Sequence, residues 1–491
     1  MTAALDTTAP ATTEAPAKRS RWIDDWRPED AGFWNNGGKQ VARRNLAFSI
    51  FSEHIGFSVW TMWSVLVLFL GPKYGFAPED KFLLTIVPAL VGSTLRLPYT
   101  FAVAKFGGRN WTVISATLLV VPMVAALAVL EPGVSLGTLL VVTAIAGVGG
   151  GNFASSMTNI NAYYPERLKG RALGLNAGGG NLGVAMVQLV GLLVLATAGK
   201  EHPRVLIAVY LPLILVAATL AFLRMDNLTS AKNDKRAMRD VCRDPHTWVM
   251  SFLYIGTFGS FIGFGFAFGQ VLQVQFKADF PTPLDAAYLT FLGPLLGSLI
   301  RPVGGMLADR FGGARVTALN FVAMAGGAAL VLLASVQKSL PLFVVAFTVL
   351  FVLSGLGNGS TYKMIPAIFR AKSQILIDEG GDTTASDREA RRLAGALIGI
   401  AGAIGAFGGV LVNVAFRQSF LETKAGNAAY VAFLAYYAVC VLVTYAVYLR
   451  PRAKRLTRWV GICELSANGS SYIAGSFGVT ACASEPRTYT S

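Results

Sequence analysis

The sequence predicts an all-α membrane protein with twelve transmembrane helices, arranged as two pseudo-symmetric six-helix bundles. Composition, twelve long apolar stretches and an internal repeat lead to this prediction. Of the 491 residues, 54% are apolar and only 14% are charged, whereas an ordinary soluble domain carries about 25% charged residues. The 52 glycines suit membrane helices, which use small residues for close packing. Disorder, collagen, a disulfide scaffold and a water-soluble enzyme all fit this composition poorly.

Twelve apolar stretches are each long enough to cross a bilayer, which needs about 20 residues of helix. We predict a polar, disordered N-terminus (1–44), a first bundle (45–225), a polar linker (226–245), a second bundle (246–450) and a tail (451–491). The apolar stretches begin near Asn45, Phe82, Asn110, Leu136, Arg171, Pro203, His246, Asp285, Arg315, Leu340, Arg392 and Ala428.

The basic charge indicates an orientation in the membrane. The net charge of +15 would suggest nucleic-acid binding on a soluble protein. With Met1 inside, however, the inner segments hold about four times as many Lys and Arg as the outer loops, as the positive-inside rule requires. We therefore expect a multi-pass protein of the cytoplasmic (inner) membrane with both termini cytoplasmic, the lipid bilayer as partner and no nucleic acid. No cleavable signal peptide is visible, because the first 44 residues are polar.

The cysteines indicate neither disulfides nor a metal site. Cys242, Cys440, Cys463 and Cys482 have no CxxC spacing and no metal-ligand grouping, which is typical of free thiols in a reducing compartment. We expect no metal and no cofactor. An enzyme is improbable, since no nucleophile–base pair emerges.

Near-constant spacing reveals the internal repeat. Residues 92–96 (GSTLR) recur at 297–301 (GSLIR), residues 106–108 (FGG) at 311–313, and residues 147–149 (GVG) at 355–357 as GLG. An even number of spans in each half keeps the halves parallel, related by an axis along the membrane normal, as in one class of secondary transporters. In such proteins the substrate site lies between the halves near mid-bilayer.

Buried charges mark the candidate site. Arg96 in the second span and Arg301 in the eighth occupy matching repeat positions. A cation at a helix centre costs about 2.5–3.5 kcal/mol, so each needs a partner or a task. Snorkelling to the inner interface is the alternative, although each arginine is followed by roughly 12 Å of further helix.

The carboxylate count predicts a positive cavity. Glu53 is the one carboxylate well inside a span, and it cannot neutralise two arginines and Lys363, the charge-balance candidate of the tenth span. For Lys363, a role as counter-ion in the cavity and snorkelling of its side chain to the inner interface are equally good explanations. The natural complement is an anion, and the rigid guanidinium fork suits a planar oxyanion.

Glycines crowd the fourth, fifth and tenth spans and predict a narrow passage. A phosphate-binding loop is a poor explanation, because no β-strand precedes them and no GKS or GKT follows. Helix packing alone remains an alternative to a role in gating. The candidate gating glycines are Gly147, Gly149, Gly151, Gly355, Gly357 and Gly359.

Two sets of motifs carry a family resemblance. Residues 304–315 (GGMLADRFGGAR) resemble the G-x-L-a-D-r-x-G-r-[kr] loop of the major facilitator superfamily, while the counterpart at 104–109 lacks the Asp. Residues 147–160 (GVGGGNFASSMTNI), followed by YYP at 163–165, resemble the nitrate signature of the nitrate/nitrite porter family within that superfamily. Residues 355–366 resemble the second copy of this signature, and the run Gly174-Leu175-Asn176 also fits the pattern of the family.

The resemblance implies the major facilitator fold and transport of nitrate, of nitrite or of both. It implies that Arg96 and Arg301 clamp the anion, that Asn176 donates a hydrogen bond, and that Tyr254 and Phe258 line the pocket. Phe153, within the first signature, joins them as a candidate. Tyr254 and Phe258 also stand at i and i+4 on one helix face, although ordinary packing would give the same aromatic stripe.

The coupling mode stays open at this point. Moving one anion into a cell at −100 mV costs about 2.3 kcal/mol. Exchange for an outgoing anion cancels this cost, and symport with two protons reverses its sign. Glu53 and His54 form an adjacent titratable pair, which favours nitrate/proton symport over nitrate/nitrite antiport, with protons as an additional partner.

Other functions remain as alternatives. The same fold would serve a carrier of another small anion or a drug-type exporter, and a membrane-embedded nitrate sensor is an alternative of a different class. A monomer should be sufficient for the predicted carrier. The sequence does not indicate the direction of transport, the affinity, the nitrate-versus-nitrite preference or the purpose of the tail.

Overall fold

The computed structural model describes residues 21–230, 234–280 and 282–450, and these residues form twelve long helical segments. We call them spans 1 to 12. The first six are span 1 (Lys39–Thr61 with Trp63–Phe69), span 2 (Pro78–Phe106), span 3 (Gly108–Leu118 with Val120–Val129), span 4 (Leu136–Ala146 with Val148–Tyr163), span 5 (Glu166–Thr197) and span 6 (Pro203–Arg224). The second six are span 7 (Pro245–Tyr254, Ile255–Gly259 and Ser260–Gln275), span 8 (Pro283–Thr290 with Leu292–Phe311), span 9 (Gly313–Val336), span 10 (Leu340–Asp378), span 11 (Thr383–Thr423) and span 12 (Asn427–Thr444 with Tyr445–Leu449).

The span lengths agree with a membrane protein. Among the described residues, eleven helices are long and apolar enough to cross a membrane. Span 1 falls outside that count, because it is divided at Met62 and its longer piece carries buried polar side chains such as Glu53. Spans 4, 6 and 10 begin at the predicted residues, and most other starts lie within a few residues of the prediction.

The prediction of a disordered N-terminus is wrong for residues 21–44. Trp22–Ile23 pairs in parallel with Asn227–Leu228, and short helical segments cover Ala31–Phe33 and Trp34–Gly38. The long helix of span 1 then begins at Lys39, six residues before the predicted start. Aromatic side chains anchor this polar segment: the ring of Trp26 lies 5.3 Å from that of Tyr163 in an edge-on contact. Residues 1–20 and the tail, with Cys463 and Cys482, lie outside the described residues.

The predicted linker is a folded element. Its helix, Lys235–Cys242, packs against span 11. Arg392 of span 11 forms ion pairs with Asp234 at 3.2 Å and Asp240 at 2.7 Å. The N–H of Ala237 and the guanidinium of Arg392 hold the pKa of Asp234 below its ordinary value, so this ion pair persists at neutral pH.

The two sets of six spans meet along two helix pairs, span 2 with span 11 and span 5 with span 8. We call the membrane side with residues 226–245 the linker side and the opposite side the far side. On the far side, the ring of Phe82 stacks on Phe416 at 6.2 Å and Phe420 at 5.5 Å, while Gln270 donates to the Pro78 carbonyl at 2.5 Å. These contacts close the far side.

All six predicted gating glycines lie at close helix contacts. A Cβ on Gly151 would lie 2.7 Å from the Tyr99 ring, and a Cβ on Gly355 would meet the backbone of Gly297, 2.8 Å from its Cα. The same holds, with other neighbours, for Gly147, Gly149, Gly357 and Gly359. These glycines therefore permit close helix packing, and their role in gating stays a prediction.

Gly355→Ala is expected to destabilise the protein by about 1–3 kcal/mol, because the methyl group would press on the Gly297 backbone, which cannot rotate away. Gly178 is the matched control: it lies inside span 5 with open space where its Cβ would stand. Gly178→Ala should leave stability unchanged or raise it slightly. The measurement is thermal unfolding in detergent, and equal unfolding temperatures for the two variants would contradict this account.

A buried arginine pair between the two bundles

Arg96 and Arg301 extend into the interior from opposite bundles. Span 2 carries Arg96 and span 8 carries Arg301, and only 1% of Arg96 and 5% of Arg301 is exposed. At this burial neither side chain reaches solvent or the membrane surface. The snorkelling alternative is therefore excluded.

Two phenyl rings bring the arginines together. The Arg96 guanidinium carbon lies 4.7 Å from the ring centroid of Phe153 and 4.9 Å from that of Phe258. The Arg301 guanidinium carbon lies 6.0 Å from each of the same two centroids. Both cations therefore share one aromatic pair, with Phe153 from span 4 and Phe258 from span 7, at distances typical of cation–π contacts.

Much of the donor capacity of both guanidinium groups is unused. Arg96 Nη1 donates to the Gly402 carbonyl at 3.1 Å, but its Nε and Nη2 have no protein partner. Arg301 Nη2 donates to the Tyr254 hydroxyl at 3.3 Å, and its Nη1 has no protein partner. Leaving a buried charged donor unsatisfied is costly. The site is therefore complementary to a group that accepts several hydrogen bonds.

A π-helical turn shapes the aromatic wall. Residues Ile255–Gly259 form this turn inside span 7, where the sequence predicted a regular α-helix. The ring centroids of Tyr254 and Phe258 lie 5.3 Å apart with the rings nearly parallel. Gly259 allows the approach of span 11, because a Cβ there would lie 2.7 Å from the Cα of Gly408. Such π-bulges occur frequently at functional sites.

Glu53 lies beside the arginines but bonds elsewhere. Its Oε2 accepts from Asn176 Nδ2 at 2.7 Å, and the carboxylate interacts electrostatically with both Arg96 and Arg301. Asn176 also donates to Ser156 at 2.6 Å. The Asn176 amide nitrogen is thus engaged within the first bundle, whereas the sequence reading directed it at the anion.

His54 does not join Glu53. Its Nδ1 lies 3.1 Å from the Gly179 carbonyl of span 5, on a different face of span 1. Adjacent residues on a helix point in directions about 100° apart, so neighbours in sequence need not share a site. Of the two proton-coupling candidates, only Glu53 lies at the arginine pair.

The charge count that grouped Lys363 with the arginines is wrong. Lys363 Nζ forms an ion pair with Asp309 at 2.7 Å, and 38% of the Lys363 side chain is exposed. Asp309 lies in the last turn of span 8 at the linker side, where the sequence motif predicted a loop, so the charge of Lys363 is balanced there. Within the described residues, the central charges are two guanidinium groups and one carboxylate.

Tyr362 is a site residue that the sequence reading missed. The Arg301 guanidinium carbon lies 5.7 Å from its ring centroid, and its buried hydroxyl has no protein partner. The available signal was its place inside the second signature copy, directly before Lys363.

A cavity extends from Arg96 to the linker side. It encloses about 270 Å³, with Arg96, Phe153 and Tyr362 at its inner end and Asp234 and Arg391 at its mouth. Since the far side is closed, this conformation of the protein is open only toward the linker side. Among all the residues that the structure describes, no group of His, Cys, Asp and Glu could hold a metal ion.

Comparisons with known proteins agree on one family. Residues 46–412 match the family model of the Major Facilitator Superfamily. The chain is 38% identical to the nitrate/nitrite transporter NarU of Salmonella typhimurium, over 88% of this chain and 97% of that protein. It is 33% identical to the probable nitrate/nitrite antiporter NarK2 of Thermus thermophilus, over 89% and 98%.

Solved structures agree on the fold. The xylose transporter XylE of E. coli, in a partially occluded inward open conformation, superposes with a TM-score of 0.57 over 83% of this chain and 98% of that one, at 13% identity. A D-xylose-proton symporter gives a TM-score of 0.59 over 88% and 99%, at 15% identity. The predicted twelve-helix fold is confirmed.

Proposed function

Because the chain belongs to the nitrate/nitrite porter family of the major facilitator superfamily, we propose that it is a secondary active transporter of nitrate and nitrite. It works by alternating access, with nitrate/proton symport as its coupling mode. The membrane is the cytoplasmic one, and the linker side faces the cytoplasm, since the Lys and Arg residues gather there.

The arginine pair is the single observation that carries the proposal. The two guanidinium groups leave three buried nitrogens without partners, Nε and Nη2 of Arg96 and Nη1 of Arg301. Nitrate and nitrite present two or three acceptor oxygens in one plane. Charge-assisted bonds to such a plane from two forks are both stronger and more directional than neutral hydrogen bonds.

The aromatic rings and the charge balance fit the same cargo. Phe153 and Phe258 lie in contact with each other, with ring centroids 5.8 Å apart and planes tilted by 31°, and form an apolar wall beside both guanidinium groups. They also keep the site apolar, which strengthens the attraction between anion and arginine. One bound monoanion neutralises one guanidinium charge, and Glu53 neutralises the other until it takes up the coupling proton.

Alternating access requires that the two sides open in turn. In the described state the anion enters or leaves through the cavity on the linker side. Opening the far side requires the Phe82 ring to separate from Phe416 and Phe420, and the helix pairs span 2–span 11 and span 5–span 8 to rock. An anion between Arg96 and Arg301 attracts the bundles toward each other and so favours the transition between the two states.

Flux measurements in liposomes test the proposal. Purified protein should take up labelled nitrate, and excess nitrate or nitrite should compete while chloride competes poorly. Equal competition by chloride would overturn the oxyanion assignment, and chlorate measures how strictly the flat shape is required. Binding without flux or counterflow would make the protein a sensor instead of a carrier.

Nitrate/nitrite antiport is the second candidate, favoured by the 33% identity to a probable antiporter. The buried carboxylate beside the arginines favours symport instead, because an ionisable group inside the membrane requires a task. Uptake driven by an imposed pH gradient into nitrite-free liposomes discriminates the two modes. An antiporter needs internal nitrite, whereas a symporter does not.

Tyr362→Phe should raise the KM for nitrate by about 3- to 10-fold, the equivalent of one hydrogen bond of about 0.5–1.5 kcal/mol. The hydroxyl lacks a protein partner near Arg301 and is available to donate to the anion. Tyr436→Phe is the control, because the Tyr436 hydroxyl donates to the Phe252 carbonyl within the second bundle. An unchanged KM in Tyr362→Phe would remove this donor from the site.

A further inference from the structure

A second, much smaller cavity lies inside the first bundle behind Glu53. It encloses about 10 Å³, which is about the space that one water molecule requires. We call it the hydroxyl chamber. Besides Glu53, its walls are hydroxyl and amide groups of spans 1, 3 and 4: Ser49, Ser52, Thr112, Ser115, Asn152, Ser155 and Ser156.

Three of the residues that line the chamber carry an unpartnered oxygen. Ser52 Oγ, Glu53 Oε1 and Asn152 Oδ1 are all buried without a hydrogen-bond partner, and these residues are at most 4% exposed. A buried polar group left in this state costs about 1–3 kcal/mol. A carboxylate oxygen and an amide oxygen only accept, so the chamber suits a donor such as water.

The polar lining continues toward the linker side. On span 4, Asn152, Ser155 and Asn159 recur at helical spacing along one face. The amide nitrogen of Asn159 is again buried without a partner, and Asn159 abuts Gly108, the first residue of span 3. Thr112 lies about one turn into span 3. The stripe thus reaches from the depth of Glu53 to the linker-side end of the helices.

The second bundle lacks this arrangement at the matching positions. The repeat offset of 205 residues places Phe258 where the first bundle has Glu53. The neighbouring hydroxyls there bond to each other: Thr257 lies 3.2 Å from Thr361, and Thr317 lies 2.9 Å from Ser360. The chamber is therefore not a general consequence of the fold, and it lies at Glu53, the buried carboxylate inside a span.

We propose that water held in the hydroxyl chamber delivers the coupling proton to Glu53 along a route separate from the anion cavity. This inference rests on the proposed proton coupling. The Glu53 carboxylate takes a proton from the chamber water, which regains one from the next donor along the stripe, so one proton moves and no other bond changes.

The charges around Glu53 favour such a separate route. The charged and titratable groups that face it on the cavity side are Arg96, Arg301 and Tyr362, while His54 on its own helix points to span 5. A proton that entered through the anion cavity would approach two guanidinium groups and be repelled. The other chamber residues are all uncharged.

Ser115→Val tests the route by filling the chamber. Ser354→Val is the matched control, because both serines are buried and each donates to the carbonyl three residues earlier, but Ser354 lies outside the chamber. With reconstituted full-length protein, Ser115→Val should slow nitrate uptake driven by a pH gradient severalfold and leave nitrate/nitrite counterflow at the control level. Ser115→Ala, which keeps the space but removes the hydroxyl, should show a smaller loss of the same kind.

Three results would overturn the inference. If Ser115→Val and the control are equal in proton-driven uptake while Glu53→Gln loses it, the proton reaches Glu53 by another route and the proposed symport stands. If Ser115→Val inserts but loses counterflow as well, the chamber is structural. If Glu53→Gln keeps normal proton-driven uptake, the proposed coupling fails together with the route.

Discussion

Replacing Arg96 by lysine is expected to lower nitrate transport by about 10- to 100-fold while the protein still inserts in the membrane. The substitution keeps the positive charge but removes the guanidinium fork. A hydrogen bond to a charged group contributes about 1.5–3 kcal/mol, and each 1.4 kcal/mol is a factor of ten. Because Arg96 Nε and Nη2 are free of protein partners, the loss falls on the bound anion more than on folding.

Initial rates of labelled nitrate uptake in liposomes measure this effect, with membrane insertion checked by surface labelling. Arg204→Lys is the control: Arg204 pairs with Glu131 at 2.7 Å on the far side, where both side chains are well exposed. Arg301→Lys should reproduce the Arg96→Lys defect, since the two arginines share one aromatic pair. Wild-type uptake by Arg96→Lys would remove the bidentate clamp from the mechanism.

The positions of both arginines could be predicted because the repeat fixes them. Matching positions in two homologous halves lie at matching depths, and the cost of a buried cation restricts where each can point. The span starts were predictable for a related reason, since a long apolar helix is a local property of the sequence. Leu136, Pro203 and Leu340 begin helices where the apolar pattern begins.

Contacts across helices were beyond the reach of the sequence pattern. Nothing local indicates that Asn176 donates to Glu53, a residue 123 positions away. The sequence pattern could not predict the π-helical turn at Ile255–Gly259 for a similar reason, because this turn depends on how span 7 packs against span 11. A count of charges by span groups Lys363 with the arginines because it cannot show that Asp309, in the last turn of span 8, lies 2.7 Å from the Lys363 ammonium.

Glu53→Gln is expected to abolish nitrate uptake driven by a pH gradient while nitrate/nitrite counterflow continues. Glutamine has nearly the shape of protonated glutamate and can still bond to Asn176, but it can neither take up nor release a proton. Anion entry against −100 mV costs about 2.3 kcal/mol per charge. Without proton movement nothing offsets this cost, so net uptake should stop, whereas exchange of one anion for another moves no net charge.

Two assays in liposomes decide the coupling mode. The first measures nitrate uptake with an imposed pH gradient and no internal nitrite. The second measures counterflow of nitrate against internal nitrite without a pH gradient. Glu131→Gln is the control, because Glu131 is an exposed carboxylate on the far side whose loss should change neither assay. If Glu53→Gln loses both activities, Glu53 is needed for the charge balance of the anion site rather than for coupling. If pH dependence is unchanged, the carboxylate moves no proton, and the exchange of anions at the two guanidinium groups, driven by the anion gradients, replaces symport as the coupling mode.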